Sequence, residues 1–172
     1  MDIMMWVLLL STILLLVLIS WIWPPHSPWA PWWRTKKRTA KTAFKMADVK
    51  KGDLVYELGS GEATALVVVS KDFGARGVGI EIDPARYYLS NFTIWRKKLS
   101  HNILLIRGDM FRIDISDADM VYVYLVPKTL NKLMPKFKKE LKKGTNIVSY
   151  KYELNLPLKK YDKENELRLY RI

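Results

Sequence analysis

Segments that favour strands alternate with segments that favour helices over most of the chain. Five short runs rich in Val, Ile, Leu and Tyr predict strands, because β-branched and aromatic side chains suit a pleated, buried surface. Three of these strands lead into a helical pattern, and a strand–helix–strand crossover returns the chain parallel to the first strand. The sequence therefore predicts an α/β domain with a largely parallel sheet and helices on both faces. The predicted strands lie at residues 54–58, 77–82, 103–107, 120–126 and 145–154.

The remaining elements complete this pattern. Asp83 suits the N-cap of the third predicted helix, and Pro84 suits its first turn. Residues 156–161 and 167–171 flank a polar turn and predict a C-terminal antiparallel hairpin at the edge of the sheet. In sheets of this kind, ligands bind at the carboxyl ends of the strands, near the point where the strand order reverses. The helices are predicted at residues 34–47, 63–73, 85–99 and 128–141.

A run without charged residues, from Ile3 to Trp23, precedes the alternating segments. As a helix, its 21 residues would span roughly the 30 Å hydrocarbon layer, at about 1.5 Å per residue. Pro24 and Pro25 would end that helix. The run predicts one transmembrane helix at residues 1–23. A cleaved signal peptide, the alternative, would have a basic start and a small-residue cleavage site.

Basic residues crowd the C-terminal side of this run, whereas only the chain amine and Asp2 precede it. The positive-inside rule then predicts a single-pass protein of the cell membrane, with its C-terminal domain in the cytoplasm. The expected organisation is a transmembrane anchor at 1–23, a linker at 24–35 and a globular domain at 36–172. The basic residues are Arg34, Lys36, Lys37, Arg38, Lys41 and Lys45.

The composition of the chain narrows the chemistry that it can perform. The formal net charge of +12 favours an acidic partner, which could be an anionic lipid surface, nucleic acid or an acidic protein. The chain has no cysteine, which excludes disulfides, thiolate nucleophiles, cysteine-bound zinc and iron–sulfur clusters. Neither His26 nor His101 suggests a general base or a metal site, so no metal is expected.

An acid and two glycines follow one another where the first predicted strand ends. Gly59 and Gly61 allow a tight turn and a close approach of the backbone to a ligand at a helix N-terminus. A dinucleotide-binding turn has a third glycine three residues later, where this chain has Thr64. Glu57 would repel a pyrophosphate, but it suits a cationic ligand such as the methionyl end of S-adenosyl-L-methionine.

Two further acids end the second and third predicted strands. Glu81 is placed to accept hydrogen bonds from ribose hydroxyls, and Asp109 is placed to accept one from an adenine amine. Each acid has an ordinary alternative role at a strand end, a helix cap or a turn. Three acids at three successive strand ends favour a shared ligand site over these alternatives.

These motifs resemble those of the Rossmann-like, seven-strand methyltransferases. The chain from about residue 41 to its end is similar, more narrowly, to the small protein-lysine methyltransferases. These are archaeal enzymes and mitochondrial relatives that modify the adenine nucleotide translocase and the ATP synthase c-subunit. The resemblance implies a seven-stranded sheet and S-adenosyl-L-methionine as the cofactor. The matching segments are Glu57-Leu-Gly-Ser-Gly, Gly79-Ile-Glu-Ile-Asp, Gly108-Asp and the strand from Asp119 to Val126.

The resemblance also implies where the cofactor lies against this chain. Tyr124 and Leu125 end the fourth predicted strand and are expected beside the reacting methyl group, as the candidate catalytic residues. The cofactor-binding residues implied are Glu57, Gly59 and Gly61 at the methionyl end, Glu81 at the ribose, and Asp109 with Met110 beside the adenine.

One departure from the family pattern falls in the glycine turn. The family has Asp-Gly-Arg after the second glycine, whereas this chain has Glu62, Ala63 and Thr64. Ala63 is expected to add a methyl group close to the ligand. A domain that has kept the fold and lost catalysis, acting as a membrane adaptor, is therefore one alternative.

The expected methyl acceptor is a lysine of a protein. The ring of Tyr124 could hold its ammonium group by a cation–π contact, whereas Tyr150 and Tyr152 are expected to be ordinary core aromatics. An RNA methyltransferase is the other alternative, which the basic segments at 34–45 and 132–143 favour. Against it, the fourth strand lacks the Asn-Pro-Pro-Tyr type of motif found in enzymes that methylate amino groups of adenine.

Overall fold

A computed structural model describes residues 3–22 and 34–172 of the chain, which divides into two compact units, Met1–Pro31 and Trp32–Ile172. Helix α1 (Ile3–Ile22) belongs to the first unit. The strands of the second unit are β1 (Leu54–Leu58), β2 (Arg76–Glu81), β3 (Ile103–Arg107), β4 (Met120–Val123), β5 (Asn146–Tyr150), β6 (Leu158–Asp162) and β7 (Leu167–Arg171). Its helices are α2 (Lys37–Met46), α3 (Thr64–Phe73), α4 (Pro84–Arg96) and α5 (Pro127–Glu140).

The seven strands form one sheet in the order β3-β2-β1-β4-β5-β7-β6. Strands β1 to β5 pair in parallel, and β7 and β6 add an antiparallel hairpin at one edge. The predicted seven-stranded α/β sheet with its closing hairpin is confirmed. The chain builds outward from β1 to β3 and then returns to place β4 on the other side of β1. The strand order therefore reverses between β1 and β4, and a ligand crevice is expected at their carboxyl ends.

Two strands are shorter than the sequence predicts. Strand β4 stops at Val123 rather than at residue 126, because Pro127 begins α5 shortly afterwards and suits a first helical turn. Strand β5 stops at Tyr150 rather than at residue 154, because Lys151 has a left-handed φ of 72° that no regular strand contains. Both changes put a bend just beyond the carboxyl end of a strand, where the crevice lies.

Helices α2 and α3 pack against the centre of the sheet. Phe44 of α2 is fully buried, and its ring lies 5.7 Å from the ring of Phe73 and 5.9 Å from that of Tyr122, measured between centroids. Ala40 and Ala43 share the buried face of α2, and their small side chains allow the two helices to approach closely. This packing holds the start of α2, and the residues just before it, against β4.

The charge-free helix at the N-terminus does not fulfil its predicted role. In the part of the chain that the structure describes, no helix is long and apolar enough to cross a membrane. The transmembrane helix predicted at residues 1–23, and with it the single-pass membrane anchor, is therefore wrong. The cytoplasmic location was deduced from that anchor and stays an untested prediction.

Gly79 on β2 gives the first test of this packing. It pairs with Glu57 of β1, and a Cβ atom in its place would lie 2.5 Å from Cδ2 of Leu105, 2.6 Å from Cδ1 of Leu66 and 2.8 Å from Oγ of Ser60. We expect Gly79→Ala to lower the free energy of unfolding by about 1–3 kcal/mol, because three buried side chains must move at once. Urea denaturation followed by circular dichroism measures this change.

Gly77→Ala is the matched control on the same strand. The three atoms nearest to its added Cβ would all belong to Leu66, the closest at 3.0 Å, and that one side chain can shift more easily than three. We expect a clearly smaller loss of stability than for Gly79→Ala. Equal denaturation midpoints for the two variants would show that the space beside Gly79 is not filled as described.

Candidate active site

The turn between β1 and α3 forms the floor of the site. Gly59 and Gly61 have φ values of 72° and 50°, in the left-handed region that glycine enters without a steric penalty. The backbone N–H groups of Gly59 and Ser60 donate to the carbonyl of Ile80, at 2.9 and 3.0 Å. Apart from Gly61 and its two chain neighbours, no described residue has an atom within 4 Å of the Cβ position of Gly61, so the backbone is open to a ligand there.

Glu57 is the next-to-last residue of β1, just below this turn. Its side chain is buried, and its Oε2 atom has no hydrogen-bond partner among the described residues. Burial raises the pKa of its carboxyl group well above the ordinary value; the backbone N–H of Leu66 lowers the pKa and the nearby carboxylate of Glu81 raises it further. A buried acid with an unused oxygen is costly unless a partner satisfies it. The arrangement suits a cationic ligand.

Glu81 ends β2 and holds the glycine turn in place. Its Oε2 atom accepts a hydrogen bond from the backbone N–H of Gly61 at 2.7 Å, and its Oε1 atom accepts one from that of Asp83 at 2.9 Å. The hydroxyl of Ser90 on α4 donates to the carbonyl of Gly61 at 2.7 Å and secures the turn from the other side. Both oxygens of Glu81 therefore support the backbone, and its contact with ribose stays a prediction.

Asp109 follows β3 at the same edge of the sheet. Its Oδ1 atom accepts a hydrogen bond from the backbone N–H of Phe111 at 2.9 Å, and its Oδ2 atom lies 3.8 Å from Nε of Arg112. Asp109 and the adjacent Met110 are half-buried. The three acids thus end three adjacent strands as predicted from the sequence, whereas the contacts of Asp109 and Met110 with adenine stay predictions.

An open cleft of about 370 Å³, counting the solvent at its mouth, lies where the strand order reverses. Of the predicted site residues, the cleft includes Glu57, Gly59, Gly61 and Tyr124; the described lining does not include Glu81, Asp109, Met110 or Leu125. The full lining is Arg34, Thr35, Glu57, Gly59, Ser60, Gly61, Glu62, Thr64 and Tyr124.

Several of these residues were not predicted as site residues. Thr35 is buried, and its hydroxyl lies 3.4 Å from that of Tyr122, which fixes the chain just before α2. The guanidinium group of Arg34 pairs with the carboxylate of Glu62. No local pattern marks Arg34 or Thr35, because tertiary packing alone brings them to the turn. Ser60 is different, because its position between Gly59 and Gly61 in the sequence could have marked it as a site residue. Its buried hydroxyl has no partner among the described residues.

Tyr124 and Leu125 take different positions. Tyr124 faces the cleft, and its ring lies 4.3 Å from that of Tyr150, measured between centroids. Burial raises the pKa of Tyr124 to about 12, with Tyr150, Tyr152 and Glu166 adding smaller electrostatic effects, so the phenol stays protonated near neutral pH. Leu125 is buried, and its Cδ2 atom lies 3.2 Å from the Cβ position of Gly59, so it packs under the turn.

Ala63 does not place its methyl group in the cleft. It has a left-handed φ of 56° and caps the start of α3, and it is fully buried. It belongs to an apolar cluster between α3, α4 and β3, which includes Leu66 and Ile94. The departure from Asp-Gly-Arg therefore changes the core beneath the turn, while the surface above Gly61 stays open.

These features fit S-adenosyl-L-methionine. Its methionyl end carries an ammonium group, and the adjoining sulfonium is also positive. The buried carboxyl group of Glu57 would pair with that positive charge, the hydroxyl of Ser60 would offer a polar group without a partner among the described residues, and the open backbone at Gly61 would permit close approach. The cleft also begins at a helix N-terminus beside parallel strands, which is where cofactors of this size bind in doubly wound sheets.

Comparison with known proteins identifies the family. The family model of the ANTKMT methyltransferase domain matches residues 57–157. The chain belongs to this family. It is an S-adenosylmethionine-dependent methyltransferase. The match covers the end of β1, the glycine turn, strands β2 to β5 and the bend after β5.

Individual relatives of this methyltransferase support the same family assignment. The chain is 32% identical over 131 residues to a protein-lysine N-methyltransferase of Saccharolobus islandicus, covering 76% of this chain and 80% of the relative. It is 25% identical over 112 residues to the ATP synthase c-subunit lysine N-methyltransferase of Xenopus laevis, covering 65% of this chain. Here the match spans about half of the relative, 49% of its length.

A solved structure extends the likeness to three dimensions. An RNA methyltransferase from Salinibacter ruber, in complex with S-adenosyl-L-homocysteine, superposes with a TM-score of 0.77 at 31% identity. The match covers 81% of this chain and 92% of that chain. This methyltransferase therefore shares its sheet with a protein that binds the product form of the cofactor.

Glu57 gives a prediction with opposite effects on stability and binding. Because the pKa of Glu57 is raised in the folded state, its contribution to stability is greatest at low pH and is lost as the pH rises and burial opposes ionisation. We expect Glu57→Gln to be more stable than the natural protein at pH 7, with the difference vanishing below about pH 4. We expect its affinity for S-adenosyl-L-methionine to fall by about 10- to 100-fold, since a charge-assisted contact is lost.

Thermal denaturation between about pH 4 and 8 and titration calorimetry measure the two effects. Glu164→Gln is the control, because it removes the same charge from an exposed carboxylate paired with Arg38 at the surface. That variant should change neither property by much. A Glu57→Gln protein that is less stable at about pH 7 than at about pH 4, relative to the natural chain, would contradict the burial argument.

Proposed function

We propose that this methyltransferase modifies the ε-amino group of lysine in a protein substrate. The observation that carries the proposal is the aromatic wall at the mouth of the cofactor cleft. Tyr124 lines the cleft itself, and Tyr150 packs against it with a ring separation of 4.3 Å. An aromatic wall of this kind attracts an alkylammonium ion through the negative face of each ring, and it also contacts the apolar stem of lysine.

The charges around this wall support an amine substrate. Glu166, in the turn between β6 and β7, is an acid near Tyr124 and makes a small contribution to the raised pKa of that tyrosine. The backbone carbonyl of Glu166 accepts a hydrogen bond from the backbone N–H of Lys151 at 2.8 Å, which holds the turn beside the end of β5. A carboxylate near the wall favours a cationic side chain as the acceptor.

Methyl transfer to an amine requires the protein mainly to position the two reactants. The cofactor, when bound, supplies a methyl group on a positively charged sulfur. Glu57 and the glycine turn fix the methionyl end, and the tyrosine wall orients the incoming amine toward it. The wall also removes water from the amine, which favours the neutral form that attacks. No side chain has to form a bond to the methyl group.

The names of the relatives favour the same acceptor. The proteins of Saccharolobus islandicus and Xenopus laevis described above are both lysine N-methyltransferases. A protein substrate is also compatible with the net charge of +12, which favours acidic protein surfaces.

RNA methylation is the second candidate, because the Salinibacter ruber structure is that of an RNA methyltransferase. The exposed lysines of α5 supply a basic surface of the kind that phosphates require, among them Lys128 and Lys138. The tyrosine wall at the mouth of the cleft favours lysine over RNA.

Tyr124 tests the proposal directly. We expect Tyr124→Ala to lower methyl transfer to lysine by about 10- to 30-fold while cofactor affinity changes little, because the lost contact is with the acceptor. Tyr124→Phe keeps the ring and should retain most of the activity. Tyr88→Ala, which removes an exposed ring from α4, is the control and should be active.

The measurement uses radiolabelled S-adenosyl-L-methionine with total protein and total RNA from the same cells as separate acceptors. Hydrolysis of the labelled protein should release methyl-lysine. Label in RNA and none in protein would overturn the proposed acceptor and favour the second candidate.

A further inference from the structure

The mouth of the cleft holds an ion pair between Arg34 and Glu62. Arg34 is the one basic side chain among the described residues that line the cleft. Its guanidinium Nη2 group contacts a carboxylate oxygen of Glu62. The Arg34 side chain is 63% exposed and that of Glu62 is 33% exposed, so the pair lies at the rim while Glu57 lies at the base.

The methionyl end of the cofactor carries two opposite charges, an ammonium and a carboxylate. Glu57 at the base suits the ammonium group. The carboxylate of the cofactor would then lie near two acids, Glu57 and Glu62, and a cation is needed to offset their repulsion. Arginine suits this task, because its planar fork of five N–H donors pairs with carboxylates through parallel hydrogen bonds and can serve two of them at once.

We propose that Arg34 binds the carboxylate of the cofactor's methionyl group and that Glu62 orients the guanidinium for this contact. The nine lining residues contain two acids and one base, so Arg34 is the side chain of this lining that can offset the charge of a bound carboxylate. Arg34 thereby joins the cofactor site, although it lies well before the glycine turn in the sequence.

Thr35, the residue after Arg34, holds the backbone that carries the exposed Arg34 side chain at the rim of the cleft. Thr35 is buried, and its hydroxyl lies 3.4 Å from that of Tyr122 on β4. Tyr122 is itself fully buried and packs on Phe44 of α2. The backbone at Thr35 is therefore fixed to the sheet and to α2, and this fixes the origin of the Arg34 side chain at the rim.

Titration calorimetry with two ligands isolates the carboxylate. S-adenosyl-L-homocysteine has both charged groups, whereas its decarboxylated analogue keeps the amine and lacks only the carboxylate. We expect Arg34→Gln to weaken binding of S-adenosyl-L-homocysteine by about 10- to 100-fold and to leave binding of the decarboxylated analogue within about 2-fold of the natural protein. Glu57→Gln should weaken both ligands, because it acts on the amine that they share.

Arg38→Gln is the matched control. Arg38 lies in the first turn of α2 and pairs with Glu164 at 3.2 Å on the surface, so its loss removes an equal charge outside the cleft. It should bind both ligands as the natural protein does. The assignment is overturned if Arg34→Gln weakens both ligands equally, weakens neither, or acts no more strongly than Arg38→Gln.

This inference rests on the cofactor and not on the lysine acceptor of the proposed function. The titrations contain no acceptor, so the two ideas fail separately. A protein that discriminates the two ligands through Arg34 but transfers no methyl group to lysine would support the Arg34 assignment and overturn the acceptor. Lysine methylation by a protein in which Arg34 does not distinguish the two ligands would support the lysine acceptor and overturn the Arg34 assignment.

Discussion

The carboxylate of Glu81 is the contact on which the rest of the site depends. The glycine turn leaves the sheet before α3 begins, so the backbone N–H of Gly61 has no place in a strand ladder or a helix. Glu81 accepts that N–H and the N–H of Asp83, and so joins the turn after β1 to the cap of α4. Since both groups are partly buried, losing either partner leaves a polar atom unsatisfied at substantial cost. The shape of the cleft follows from this one carboxylate.

The site is assembled around that turn from three separate parts of the chain. Glu57 and the turn come from β1, Tyr124 comes from the end of β4, and Arg34 comes from the segment before α2. The packing of Phe44 on Tyr122 links the last two parts, because it fixes α2 against the sheet. Helix α2, which lies outside the sheet, therefore helps to position the residues at the rim of the cleft.

Much of this arrangement was predictable from local patterns. The alternation of strands and helices gives the sheet, and the positions of Glu57, Glu81 and Asp109 at strand ends give the edge where the ligand binds. The places of Arg34 and Thr35 were not predictable, because they depend on contacts between residues far apart in sequence. The same limit applies to Ala63: a linear pattern places its methyl group near the ligand, whereas the left-handed backbone turns it into the core. The transmembrane prediction rested on a charge-free run and its flanking residues, and no helix in the described part of the chain meets the length and apolarity that a membrane span requires.

The buried carboxyl group of Glu57 links the stability of the folded chain to binding of the methyl donor. A ligand that binds only the folded state stabilises it by about 2.7 kcal/mol at a concentration of about 100 times its Kd. Here the ligand would also give a partner to Oε2 of Glu57, which has none among the described residues. Cells rich in the methyl donor would hold more of this chain folded and protected from proteases than starved cells. The abundance of the enzyme, and not only its rate, would then follow the supply of methyl groups.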